Sequence, residues 1–206
     1  MPDAVVATWT VAPDPQRGQH VDTRPVTDIA ATLASSLIGP SLTILDAPFE
    51  VNVYLGRWPA QLAWLTANPD VERVWFVDIG DVTMLRSPWE HMRPGRLYMC
   101  AEPGPLRGNR WMLRHHPAPF LQQHIRTADG PILNPGVVGG DRATMIEFHA
   151  AMTTLIREHG PGLGYDVAPA NWVARTMFAD RVEYGPHVSS VFKAYRDNGE
   201  AWWQHK

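Results

Sequence analysis

Val74-Trp75-Phe76-Val77-Asp78-Ile79-Gly80-Asp81-Val82-Thr83-Met84-Leu85-Arg86-Ser87-Pro88 is the stretch whose reading decides the fold. Its first four residues are apolar without a break and rich in β-branched and aromatic types. That pattern predicts a short strand buried on both faces. The strand runs into two carboxylates, Asp78 and Asp81, with Ile79 and Gly80 between them. A second apolar run, residues 82–85, follows, and Pro88 stops it. In open α/β sheets, ligands gather at the carboxyl ends of the strands, where this acidic pair falls. Two hard oxygen ligands there suit Mg²⁺ or Mn²⁺ bridging a phosphorylated substrate. Asp and Gly are equally ordinary at a strand-to-turn junction, so both readings stand until the rest of the chain is read.

Working back toward the N-terminus, residues 71–77 form the strand that delivers the acids, preceded by a helix over residues 57–67 and a loop over 48–56. Residues 41–46 predict a second strand, ending in Asp46. Residues 26–38 carry apolar side chains at helical spacing, with Gly39-Pro40 as the stop. Residues 4–11 predict a first strand, and Pro13, Pro15 and Gly18 the loop after it. A β–α–β opening of this kind implies a parallel sheet with a right-handed crossover.

Working forward, residues 97–102 predict another strand that ends in an acid, Glu102. Residues 103–130 are rich in Pro, Gly, His and Arg and predict a functional loop with a short helix over 119–126. The His115-His116 pair offers metal-ligand chemistry, but neighbouring side chains diverge on a regular element, and solvated loop histidines are the expectation. Residues 131–140 predict a strand broken by turn residues, with glycines marking close approach of a ligand to the backbone. Asp141 predicts an N-cap for a helix to about His159, whose Met145, Phe148, Met152, Leu155 and Ile156 make a core stripe. Residues 160–164 read as a loop, and Asp166 as the cap of a further helix containing Asn171. Residues 182–184 predict a short strand. Two adjacent tryptophans, Trp202 and Trp203, predict a C-terminal segment docked onto the body of the protein.

A net charge of −3 from 18 basic and 21 acidic residues, with no long block of either sign, carries no broad nucleic-acid footprint. No apolar run reaches the roughly 18 residues of a membrane span, and the first residues show no signal-peptide pattern. The one cysteine, Cys100, excludes an intramolecular disulfide and fits a reducing compartment, so a soluble, cytoplasmic protein is expected. The chain lacks a P-loop, a dinucleotide-binding Gly-x-Gly-x-x-Gly after the first strand, a Gly-x-Ser-x-Gly elbow and His-Glu-x-x-His. What remains is a set of acids at strand ends: Asp46, Asp78, Asp81 and Glu102.

Residues 74–88 resemble the metal-binding strand and turn of GT-A-fold glycosyltransferases. In that family an apolar strand ends in Asp-x-Asp and continues into a second apolar run near a proline. Here the spacing is one residue longer, as in the Asp-x-x-Asp relatives. Leu133-Asn134-Pro135-Gly136-Val137-Val138 resembles the family's Asn-x-Gly-Val segment before a long helix. Gly164-Tyr165-Asp166-Val167-Ala168-Pro169-Ala170-Asn171 is similar to its Asp-Gln-x-x-x-Asn helix start, with Val167 in place of Gln. The terminal His205-Lys206 resembles the C-terminal histidine of the glycogenin-like subset.

The resemblance implies one domain over residues 1–206. Its fold class is α/β, GT-A-like (Rossmann-like), with a mixed and mostly parallel sheet flanked by helices. It implies transfer of a sugar from a nucleotide-diphosphate donor, a UDP-sugar first, to an unknown acceptor. The cofactor is Mn²⁺ or Mg²⁺, held by Asp78, Asp81 and His205 as a Lewis acid for the leaving diphosphate. Thr8, Trp9 and Thr10 then meet base and ribose. Arg57 reaches a phosphate bidentately, and Lys206 meets it as a point charge. Asn134, Gly136 and Asn171 line the sugar side, and Asp166 and Glu102 stand as catalytic candidates. Two other classes remain: a nucleotidyltransferase, although the loop after the first strand holds only Arg17 as a base, and a non-catalytic sugar-nucleotide or glycan-binding module.

Overall fold

The computed structural model describes residues 2–14, 21–47, 52–190 and 196–205. The chain begins with β1 (Asp3–Trp9), α1 (Val26–Ser36), β2 (Leu42–Asp46), α2 (Val53–Ala67) and β3 (Arg73–Val77). It continues through β4 (Val82–Met84), β5 (Leu97–Pro105), α3 (Arg110–His115), α4 (Pro119–Thr127) and β6 (Pro131–Asp141). It then forms α5 (Arg142–His159), α6 (Val167–Met177), β7 (Val182–Glu183) and β8 (Trp203–His205). Six strands form one sheet in the order β2-β1-β3-β6-β5-β7. β1 is parallel to β2 and β3, β7 is parallel to β5, and β6 runs against both of its neighbours. The architecture is the mixed, mostly parallel α/β sheet that the sequence implies.

Successive strand residues point to opposite faces, and both faces of this sheet are covered. Val6, Val74, Phe76, Met99 and Val138 enter one core with Leu55 and Trp58 of α2 and Phe148 and Met152 of α5. Val5, Ala7, Trp75, Val77, Tyr98 and Val137 enter a second, with Ile29 and Leu33 of α1 and the C-terminal Trp202 and Trp203. The unbroken apolar run of β3 has this double burial as its cause. No helix among the described residues is long and apolar enough to cross a membrane.

Several boundaries differ from expectation. Helix α2 starts at Val53, four residues ahead of Arg57, because the Asn52 side chain accepts from the backbone N–H of Tyr54 and Leu55, each at 3.0 Å. The predicted loop over 103–130 is largely ordered as the end of β5, α3 and α4. His116 is fully buried, its Nδ1 2.9 Å from the Leu163 carbonyl, and His115 is half-buried, its ring 4.6 Å from that of Trp111; neither is the solvated loop histidine expected. Burial pushes the His116 pKa down to about 4.

Strand β6 is continuous through its glycines, with the irregularity appearing as register shifts against β5. Gly139 faces a side chain instead of a ligand. It pairs with Trp75, and a Cβ there would lie 2.3 Å from the indole. Asp141 caps α5 as expected, accepting from Thr144 N at 2.9 Å. Cys100 is buried in β5, and burial pushes its thiol up to about 12, so it is inert.

Candidate functional site

The carboxyl ends of β1 and β3 open side by side into a cleft of about 270 Å³. Thr8, Trp9 and Thr10 form one wall, Tyr54 and Arg57 of α2 another, and Asp78 and Asp81 the floor. The placement follows from chain direction: parallel strands put their exit turns on one edge.

Asp78 is the first residue beyond β3, and its N–H donates to the Gly136 carbonyl at 2.8 Å. Asp81 directly precedes β4, which pairs antiparallel with β8 so that His205 lies opposite Val82. That pairing returns the chain's far end to the acidic turn. His205 Nε2 sits 3.6 Å from Asp78 Oδ2 and 3.7 Å from Asp81 Oδ1. The imidazole is 2% exposed, and each carboxylate side chain 36%. The tail is anchored by its indoles. Trp203 is fully buried 5.4 Å from the Trp75 ring, and Leu85 N donates to the Trp202 carbonyl at 2.7 Å.

One ligand atom from each of Asp78, Asp81 and His205 lies within 4.8 Å of the others. Two carboxylates and an imidazole are a donor set for a divalent cation such as Mn²⁺ or Mg²⁺. Gly136 supports the fit: a Cβ there would fall 2.3 Å from His205 Cε1 and 2.4 Å from Asp78 Oδ2. The space against these two side chains is therefore kept open by the absence of any side chain at 136. Lys206 lies outside the described residues.

Arg57 departs from its expected role. Its Nη1 donates to Asp78 Oδ1 at 2.5 Å, while Nε and Nη2 donate to Asp166 Oδ2 at 3.0 and 2.5 Å. The guanidinium bridges two carboxylates instead of standing open for a phosphate. Burial works to lower its pKa, but Asp166 and Asp78 outweigh that and hold it above the usual arginine value. Asp166 departs as well. It stands at the start of α6 without a side-chain capping bond, because Arg57 and the Trp58 indole N–H, 3.2 Å away, take its oxygen. Burial pushes the Asp166 carboxyl up, against the lowering pull of Arg57.

Glu102 does not end its strand, since β5 runs on to Pro105. Asn134, inside β6, donates to Glu102 Oε1 at 2.7 Å and accepts from Gly136 N at 2.8 Å, tying the two strands together through polar side chains. Asn171 is a correction. It is fully buried and bonds to Leu133 N, Leu133 O and Val167 O at 2.7 to 2.9 Å. Its amide sews α6 to β6 and is closed to substrate.

Sequence reasoning missed Trp58, Gln61 and His149. The Gln61 amide lies between Thr8 and His149, with Nε2 placed 2.9 Å from Thr8 Oγ1 and Oε1 3.0 Å from His149 Nε2. The available signals were a polar pair at i and i+4, Arg57 and Gln61, on an apolar helix, and a histidine one turn after Met145 in the α5 core stripe.

No protein-family model matches the chain, and no curated protein matches it by sequence. Among solved structures, the chain is similar to the crystal structure of a glycosyltransferase involved in the glycosylation of the major capsid of PBCV-1. The match has a TM-score of 0.60 at 14% identity and covers 100% of this chain and 93% of that one. This protein therefore has the α/β fold of that glycosyltransferase over its whole length.

Proposed function

We propose that residues 1–206 act as one domain that transfers a sugar from a nucleotide-diphosphate donor, a UDP-sugar first, to an acceptor, with Mn²⁺ or Mg²⁺ bound. The observation that carries this reading is the convergence of Asp78, Asp81 and His205 at the floor of the cleft. It occurs in a fold similar to that of a known glycosyltransferase. A divalent cation bound there supplies Lewis-acid compensation for charge developing on the departing diphosphate.

The chain's own residues divide the remaining work. Thr8, Trp9 and Thr10 bind the nucleoside on the β1 side. Asn134, with Glu102 held at 2.7 Å, orients sugar hydroxyls at the β6 edge. Asp166, fixed by Arg57 and Trp58, is the carboxylate that faces the transferring sugar. Arg57 links that carboxylate to Asp78, so occupancy of the metal site and the position of Asp166 move together. His205 supports likeness to the glycogenin-like subset, and the single buried thiol is compatible with a cytoplasmic setting.

The test is calorimetry and turnover across a panel of nucleotide-sugars with Mn²⁺ and with chelator. Metal-dependent binding with slow release of free sugar supports transfer. Binding without any turnover makes the chain a sugar-nucleotide-binding module. Binding that ignores metal and nucleotide removes the reading.

A further inference from the structure

Thr8, Gln61 and His149 form a chain that runs from the cleft wall into the core. Thr8, the last residue but one of β1, lines the cleft. Gln61 is 3% exposed, with its amide end 2.9 Å from Thr8 Oγ1 and 3.0 Å from His149 Nε2. His149 is fully buried, 4.6 Å from the Phe76 ring and 5.0 Å from Trp58 between ring centroids. Its Nδ1 lies 2.8 Å from the Met145 carbonyl.

A carbonyl oxygen only accepts, so Nδ1 carries a proton. A second proton on Nε2 would put a full charge in an apolar core. Burial first, and then the Arg57 charge, hold the ring neutral, with a pKa of about 3, even though the Met145 bond favours the charged form. Nε2 is therefore an acceptor and needs a donor. The donor at hand is the Gln61 NH₂; as placed it faces Thr8 while Oε1 faces His149, and a half-turn of the amide, which exchanges oxygen and nitrogen at the same positions, brings it to Nε2. With NH₂ toward His149, the Gln61 oxygen faces Thr8 and takes its O–H.

We propose that the His149–Gln61 pair sets the polarity of Thr8, so that the threonine hydroxyl donates inward and presents only lone pairs to the cleft. Gln61 and His149 are positioning residues; Thr8 is the group that touches ligand. A ligand atom meeting Thr8 then has to be a donor, an N–H of a base or an O–H of a ribose. Phosphate and carbonyl oxygens, which only accept, are turned away from this wall. The ligand assignment rests on the nucleotide-sugar reading; the polarity of the relay does not.

Two measurements test it. Long-range ¹H–¹⁵N correlation on the assigned His149 ring is expected to show a proton on Nδ1 and none on Nε2 between pH 8 and 5. Gln61→Met, of similar volume, is expected to change the Nε2 shift. A proton on Nε2 overturns the proposal. In the binding arm, uridine diphosphate with Mn²⁺ is expected to bind Thr8→Ser within about twofold of wild type and Thr8→Val about tenfold more weakly. Equal binding by Thr8→Val also overturns it. Uridine diphosphate that fails to bind the wild type counts against the nucleotide reading, and the imaging of the ring proton still decides the relay.

Discussion

Arg57 and Asp166 are joined through a single carboxylate oxygen: Nε and Nη2 both donate to Asp166 Oδ2, at 3.0 and 2.5 Å, and the Trp58 indole adds a third donor. Three donors on one oxygen hold a fully buried carboxylate in one orientation beside the cleft. The other end of the guanidinium reaches Asp78. The candidate metal ligand and the candidate catalytic acid therefore share one cation.

Asp166→Asn keeps the side chain's shape but removes the charge opposite Arg57. It is expected to lower turnover of a bound donor at least tenfold while nucleotide affinity changes little, and to cost about 1 to 3 kcal/mol in urea unfolding. Unchanged turnover returns Asp166 to a purely structural role.

Asp81→Asn is expected to abolish the thermal stabilisation given by Mn²⁺ and to weaken nucleotide binding to its metal-free level. The melting temperature without metal should hold within a few degrees, because the side chain is a third exposed. Equal Mn²⁺ affinity in both proteins, measured by calorimetry, removes the metal assignment.

Gly136→Ala introduces a Cβ 2.3 Å from His205 Cε1 and 2.4 Å from Asp78 Oδ2. Something has to shift, and the two candidate ligands are the atoms in the way. The Mn²⁺-induced rise in melting temperature is expected to vanish, with a loss of about 1 to 3 kcal/mol in metal-free stability. Full retention of the Mn²⁺ shift would show that His205 and Asp78 do not act together.

His205→Ala leaves the β4–β8 main-chain pairing in place and is expected to weaken metal-dependent nucleotide binding with little change in metal-free stability. Trp203→Ala empties a fully buried site against Trp75 and is expected to cost about 3 to 5 kcal/mol. The two variants separate what the tail binds from what seats it. Normal metal-dependent binding by His205→Ala would leave the cation needing a different third ligand.

His116 and His149 are buried, with pKa values of about 4 and about 3, below the unfolded value near 6.5. A lowered histidine pKa adds stability that is complete above the unfolded pKa and is lost as pH falls through the folded one. Urea unfolding is expected to show stability declining below pH 6.5 by about 1.4 kcal/mol per pH unit for each histidine. His116→Gln, whose amide can still reach the Leu163 carbonyl, should flatten that slope. An unchanged slope would show that His116 titrates alike in both states.

The strand that delivers Asp78, the opening β–α–β unit, the Asp141 cap and the docking of the terminal tryptophans were all legible from local pattern. Apolar runs, capping side chains and paired indoles act over a few residues, and their preferences survive into the folded chain. The acids at the strand ends were legible for the same reason, since a parallel sheet gathers its carboxyl ends on one edge.

What Arg57, Asp166 and Asn171 do was decided only by tertiary packing. Asp166 carries the signature of a helix cap, yet Arg57, 109 residues earlier, offers a charged partner that outcompetes backbone N–H groups. Asn171 lies where a substrate contact was expected, but burial against β6 leaves two main-chain groups of Leu133 for its amide to satisfy. Gly139 and Gly136 look alike in sequence; one makes room for Trp75 and the other for His205 and Asp78. Such pairings join residues far apart in the chain, and their strength comes from desolvation, which exists only once the core has closed around them.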